Sequence, residues 1–480
     1  MDIPFVGPSL RGVSPALNDQ RTQNFYLEVD PGGKRPISLV GTPGKKLDKI
    51  LNADAPIRGS ILFKDSTYWV AGSEVHRRDS GGATSLIGTI DTTTGPVSMD
   101  QNLTKFMIVD GTTKGYTSDG ATIVAIADLD FPGGDTCTFL DQRIYVNSLT
   151  STAQVAASAL NDLTSWNPLA VKTAEAKSDR VLAVLADEEW LYVLCEFTTE
   201  VWWNPGLTPF PLARAAGGVH TWGIVAPFSA AIADNGIIWL ARQKEGEGPF
   251  VVSTAGTAVP TIISNSTLST LWSAYTTRSD ARAHVYAQAG HLFYQLTFPS
   301  ANETFVYDLS TQTWHERSRF GLGRDPAIAH EFHGGKNLIG DDTAGKIYEQ
   351  ALDYFKDDGV TTNTLGTIER IRTTPILNAD ERVIFYHALK IMAETGVGNA
   401  DVTDPTIMLD YSDDLRVFKN QRFLSLGKSG EFDKEIYSTR LGAAVNRIFR
   451  IITTDPCKVR IIGADATVTV GNRVTKRSRA

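Results

Sequence analysis

The chain has 480 residues, 42% of them apolar and 21% charged, with a formal net charge of −8. That length exceeds what one hydrophobic core normally holds, so two or three domains are expected. The acidic balance argues against a surface built to grip nucleic acid, which needs a basic footprint, but not against one that surrounds DNA without holding it.

Cys137, Cys195 and Cys457 are odd in number and far apart. They form no disulfide framework or zinc spacing, which points to a reducing compartment. Cys195 lies inside an apolar run and reads as a small buried hydrophobe. MDIPFVGPS lacks a positive n-region and an apolar h-region, so no signal peptide is expected. No run nears the roughly 18 apolar residues of a membrane helix, so no membrane insertion is expected.

Residues 1–48 carry Pro4, Pro8, Pro15, Pro31, Pro36 and Pro43 among short apolar stretches. This reads as an extended N-terminal arm that must pack on something else to be ordered. Gly41-Thr-Pro-Gly-Lys-Lys46 lacks both the early glycine and the Ser/Thr of a phosphate loop and reads as a Pro-Gly turn.

From Ile57 a unit repeats: a strand run, a turn rich in Asp, Gly or Asn, a second run with aromatics, then a further strand or hairpin. Second runs centre on Tyr68-Trp69, Met107-Ile108, Ile144-Tyr145, Tyr192-Val193, Ile238-Trp239, Leu292-Phe293-Tyr294 and Leu338-Ile339. Their spacing of roughly 40 to 55 residues falls in the range of propeller blades. Radial repetition suits many short strands because it leaves few exposed sheet edges. The expected architecture over 49–358 is therefore a β-propeller of about seven irregular blades. Ala281–Ser318 is the clearest copy, with four strand runs, and its Tyr307-Asp308 followed by Trp314 looks like a kelch-type strand pair.

Around Asp357-Asp358-Gly359 the composition shifts, and TTNTLGT reads as a linker. Longer, better alternated runs follow, with Ile407, Leu409 and Tyr411 on one face. Phe449 and Ile451 mark one strand and Val459 and Ile461 another, predicting an all-β chain that ends in an antiparallel β-sandwich-like domain over 359–472. The ends of this domain look basic, with Arg370, Arg372, Arg440, Arg447 and Arg450. Residues 473–480 form a cationic tail, and Arg473, Lys476, Arg477 and Arg479 are candidate interface residues.

The chain reads as a non-enzyme without cofactor or metal. His330-Glu-Phe-His333 lacks the HExxH spacing of a zinc helix, and in a strand its two rings point to opposite faces. Asp341-Asp342 and Asp413-Asp414 read as solvated turn acids rather than a glycosidase pair drawn from two strands. No Gly-X-Ser-X-Gly elbow occurs, TGVGNA at 395–400 is not followed by a helix pattern, and Trp202-Trp203 reads as packing.

Three blocks, in one order along the chain, resemble a known family. They are NDQRTQNFYLEVDPGG…LVGTPGKKLDKI with PIRGSILFKDSTYWVAGSEVHRRD, then AEAKSDRVLAVLADEEWLYVLCEFTTEVWWNPG, then YSDDLRVFKNQRFLSLGKSG…VNRIFRIITTDPCKVRIIGADATV. The chain is similar to the packaged-DNA stabilisation, or tail hub (nozzle-type), proteins of short-tailed bacteriophages. The stretch 221–264 and the basic octapeptide match least.

The resemblance implies a virion tail protein assembled in the host cytoplasm. It implies a ring, usually of six copies, docked on the head–tail connector below the portal, that prolongs the channel for double-stranded DNA. It further implies retention of the packaged genome and attachment of tailspikes or fibres and of a needle or plug. Two other readings stay open: a propeller that binds or cleaves glycans, which needs convergent carboxylates or an aromatic trough at its centre, and a kelch-like interaction module.

Overall fold

A computed structural model describes residues 1–9, 20–32, 35–177, 179–244, 248–254, 259–358 and 366–473. They fall into two compact units. One comprises Leu47–Asn302 and Pro326–Gln350; the other comprises Met1–Lys46, Glu303–Asp325 and Ala351–Ala480.

In the first unit the chain builds six antiparallel sheets, at 57–89, 98–125, 137–173, 181–220, 223–262 and 327–350, with the hairpin Arg282–Gln288/His291–Phe298 before the last. Every expected second-run centre falls on the second strand of its repeat, from Ser66–Ala71 to Lys336–Asp341. Those strands are nearly all buried, as in Ser66–Ala71 and Phe106–Val109. A strand flanked by neighbours and covered on both faces has no solvent side, so it reads as a continuous apolar run rather than an alternating one. The turns supply the required backbone. Both central residues are left-handed at Asp141-Gln142, Ala289-Gly290 and Gly334-Gly335, which matches the twist of a tight hairpin.

Adjacent repeats share cores in a closed circuit. Phe63 and Tyr68 pack on Phe106, with ring centroids 5.4 and 4.7 Å apart. Met107 and Val109 meet Ile144 and Val146, Tyr145 meets Leu191 and Val193, and Leu194 meets Trp239. Tyr294 Oη donates to the Ser229 carbonyl at 2.7 Å, the His284 and His330 rings stack 6.2 Å apart, and Leu338 and Ile347 pack on Trp69 and Ile57. This circuit makes the unit a seven-repeat β-propeller. Its last sheet takes its outer strand from the chain segment that precedes the first, where Leu47 packs on Ala327, Ile339 and Tyr348. The fifth repeat is the least regular, because the 3-10 turn Pro227–Ser229 splits its first strand. Of the four strand runs expected over 281–318, the first two belong to this unit. Glu303–Asp308 and Thr313–Glu316 count with the other, where Tyr307 and Trp314 are cross-strand partners.

The second unit is a β-sandwich. One sheet runs Phe25–Val29, Ile37–Gly41, Arg460–Arg473, Arg382–Ala393, Ile436–Thr439, with Asp2–Ile3 added to Arg460–Arg473. The other runs Glu303–Asp308, Thr313–Glu316, Thr22–Gln23, Arg370–Thr373, Asn446–Thr453, Thr406–Ser412, Lys419–Ser425. Ile3, Phe5, Phe25 and Leu39 lie in one core with Ile384, Leu409, Phe449, Ile451 and Ile461. The described parts of the Pro-rich start of the chain thus donate strands and core side chains to the sandwich. Residues 359–365 of the expected linker lie outside the described residues.

Candidate functional site

The four candidate interface residues can be placed only in part. Arg473 ends the strand Arg460–Arg473, in register with Arg382. Lys476, Arg477 and Arg479 lie outside the described residues.

The basic residues expected at the ends of the C-terminal domain need correcting, because Arg370, Arg372 and Arg447 are among the largest fully buried side chains. Arg447 makes a two-pronged pair with Asp413 at 2.6 and 2.9 Å and lies over the Tyr411 ring at 4.0 Å and the Tyr386 ring at 4.6 Å. Asp413 is therefore an ion-pair partner rather than a free turn acid. Asp414 fits the turn-acid reading: the Val417 and Arg416 amides and the Ser412 hydroxyl hold its pKa down to about 2.

Among the described residues Arg372 has no carboxylate partner. Its guanidinium donates to the carbonyls of Phe5 and Pro8, Oγ1 of Thr22 and Oε1 of Gln20, at 2.7, 3.2, 2.5 and 3.1 Å, and burial lowers its pKa. In the N-terminal segment, buried Lys45 donates to Asp325, which also takes Arg317 Nε at 3.0 Å. Desolvation lowers the Lys45 pKa, opposed by the charges of Asp325 and Asp357. These groups hold the N-terminal segment in the sandwich unit.

At the centre of the propeller, the first strands of the repeats line a cavity of about 570 Å³ that includes Arg58, Ser60, Asp100, Gln101, Arg282 and Glu331. Much of its polar lining fastens one repeat to the next. Asp100 accepts from the Phe139 amide at 2.7 Å, Ser98 Oγ from the Cys137 amide at 3.1 Å, and Thr136 and Thr138 Oγ1 from the Val184 and Ala186 amides at 2.9 Å each. Ser60 Oγ donates to Glu331 at 2.8 Å, joining the first repeat to the last. Desolvation raises the pKa of Asp100 to about 6 and of Glu331 to about 7, against the hydrogen bonds that favour their ionised forms. Arg58 is spent on the carbonyls of Gly72, Thr92, Thr94 and Gly95 and on Oγ1 of Thr92.

His330 bonds Asn337 Oδ1 at 2.9 Å, while His333 faces Asp65 at 3.6 Å. Among the described residues no group of three or more His, Cys, Asp or Glu could hold a metal. Trp202 is buried with Nε1 on Glu200 at 2.8 Å, whereas Trp203 is 44% exposed. All three cysteines are free and buried.

The family model described as bacteriophage P22 Gp10, β-propeller, matches residues 17–353, and the one described as bacteriophage P22 Gp10, β-sandwich, matches residues 369–469. The chain belongs to the bacteriophage P22 Gp10 family. As a Gp10-family protein it is a structural phage protein of the tail and a virion component. No curated protein matches it. Among solved structures, the WD40 β-propeller domain of Doa1 aligns over 64% of this chain and 97% of its own, with 10% identity and a TM-score of 0.41. The Neurospora crassa Pan2 WD40 domain aligns over 65% and 95%, with 9% identity and a TM-score of 0.42.

What sequence reasoning missed in this Gp10-family chain are the cross-repeat fasteners and the buried cations. A faint signal existed for the first, since Ser98 and Asp100, and likewise Thr136 and Thr138, are polar residues two apart in or immediately before first strands.

Proposed function

We propose that this Gp10-family chain is the hub subunit of a short phage tail, forming a ring of copies, six on the family pattern. The ring docks on the head–tail connector below the portal, prolongs the DNA channel and retains the packaged genome. It also carries tailspikes or fibres and the needle or plug. The observation that supports this reading is the paired match, in chain order, of a propeller and a sandwich to the two parts of one phage family. The mechanism it requires is stiffness rather than chemistry. Side-chain fasteners join successive repeats, and buried arginines tie the N-terminal segment into the sandwich, so each unit resists deformation. A net charge of −8 suits a wall along which DNA slides, because a strongly basic lumen would hold it.

The test is a phage deleted for this gene and complemented in trans. Particles made without the protein are expected to package DNA and then lose it, and to regain infectivity on complementation. Normal genome retention without the protein would refute the hub.

A second reading, a glycan-binding or glycan-cleaving propeller, draws on Asp100 and Glu331, two carboxyls with raised pKa lining one central cavity. Their oxygens already serve neighbouring repeats, which favours a fastening role. Release of sugar from host polysaccharide by the purified protein, abolished in Glu331→Gln, would reverse that preference.

A further inference from the structure

The geometry points to a phosphoryl-binding pocket on the propeller, formed by Arg180, Arg242 and Arg278 with the hydroxyls of Thr276, Thr277 and Ser279. These residues line a cavity of about 530 Å³. Arg180 immediately precedes the strand Val181–Asp187, Arg242 ends Ile237–Arg242, and Arg278 lies in the turn before Arg282–Gln288. In an antiparallel repeat the start of the first strand and the end of the second lie at the same edge. The three guanidinium groups therefore come from three successive repeats onto one face of the propeller.

The charge balance of the pocket is positive although the chain is acidic. Among the described residues the one carboxylate lining it is Glu196, which pairs with Arg242 at 2.6 Å and leaves Arg180 and Arg278 as the other two lining cations. Arg242 is already fixed in place, since its Nε donates to the Glu196 carbonyl at 2.8 Å and its guanidinium lies 4.5 Å from the centre of the Phe197 ring. Among the described residues Arg278 meets the Ser273 carbonyl, at 3.5 Å. The acids adjacent in sequence are turned to other work: Asp179 accepts from the Phe197 amide at 2.8 Å and Thr198 Oγ1 at 3.1 Å, and Asp280 accepts from the Ser300 amide at 2.8 Å.

Forked guanidinium donors around small hydroxyls suit a tetrahedral oxyanion with three or more acceptor oxygens better than a planar carboxylate. The cavity falls within the usual range of small-ligand sites, about 300 to 1,000 Å³, which leaves room for the organic part of a phosphate ester. The phosphoryl group can come from a nucleic-acid backbone or from a free phosphate compound, and both present the same oxygens. This site is independent of the hub reading, which needs no phosphate contact.

The test uses the full chain at fixed chloride, titrated with inorganic phosphate by calorimetry and with a short labelled DNA duplex by anisotropy. Saturable phosphate binding is expected, weakened at least about tenfold in R180Q/R278Q and partly restored in R180K/R278K. Arg180 is exposed and Arg278 half-buried, and an unchanged thermal transition shows that the variants fold; Arg242 is left intact because it holds Glu196. Duplex binding that phosphate competes away, and that the same variant loses, assigns the source as nucleic acid. Phosphate binding without duplex binding assigns a free phosphate compound. No saturable binding up to about 10 mM phosphate, or equal binding by wild type and R180Q/R278Q, overturns the proposal.

Discussion

Arg372 donates from Nε to the carbonyl of Phe5, 2.7 Å away and 367 residues earlier in the chain. A buried guanidinium with only neutral acceptors is tolerable while each donor is satisfied and costly once they are removed. Deleting residues 1–9 removes the Phe5 and Pro8 carbonyls and takes Ile3 and Phe5 out of the core. Arg372→Ala in the full chain is expected to destabilise the sandwich by roughly 3 kcal/mol, mainly by leaving buried acceptors unpaired. In a chain lacking residues 1–9 the same substitution should cost much less. Denaturant unfolding of the four proteins gives the coupling, and additive effects would show that the clamp contributes nothing.

The Lys45, Asp325 and Arg317 group predicts an order of damage. Asp325 accepts from both cations. Asp325→Asn takes away the carboxylate that pairs with both buried cations, leaving Asp357 as the nearby acid acting on Lys45, and should cost roughly 3 to 5 kcal/mol, whereas Lys45→Met removes a charge that burial already disfavours and should cost less. Comparing the two midpoints in urea checks the order, and Lys45→Met as the more harmful change would contradict it.

The same residues show where sequence reasoning stops. Repeat count and the second strands were legible because a strand covered on both faces must be apolar throughout, so Trp69, Ile108, Tyr145 and Trp239 announce themselves. The sandwich was legible in the alternation of Ile407, Leu409 and Tyr411 within Thr406–Ser412, where the first two are buried. Burial of Arg370, Arg372 and Arg447 was not, because an arginine's partners are set by tertiary contacts such as Phe5 and Asp413, which have no local pattern. The carboxyls Asp100 and Glu331 were hidden for the same reason: their partners sit on a neighbouring repeat.

Glu331 makes the stability of the propeller depend on pH in a defined direction. Its pKa rises from 4.5 to about 7 on folding because burial disfavours the charged form. The folded state therefore holds a proton that the unfolded state releases between those values, so this contribution is fully present below the unfolded pKa and is lost as pH rises through about 7. His330, which burial pushes below its usual range, acts oppositely as pH falls. The measurement is thus a difference: Glu331→Gln, which can still accept from Ser60, should gain on wild type as pH rises from about 5 to 8. Parallel melting curves across that range would show that Glu331 ionises normally.

The last repeat is completed by residues from before the first, and Gly345 marks the tightest point of that closure. A Cβ at Gly345 would lie 2.1 Å from the Asn52 carbonyl oxygen and 2.8 Å from that of Ala55. Both obstacles are backbone, so Gly345→Ala has to push the closing strand off the sheet, with an expected loss above about 3 kcal/mol. Gly290→Ala serves as the comparison. It meets nothing within 4 Å and carries only the strain of its φ of 83°, for which roughly 1 kcal/mol is expected. Limited proteolysis near residues 47–56 should follow the same order, because a displaced closing strand is cut while a strained turn is not. Equal protection of the two variants would mean that the ring does not depend on this strand for its closure.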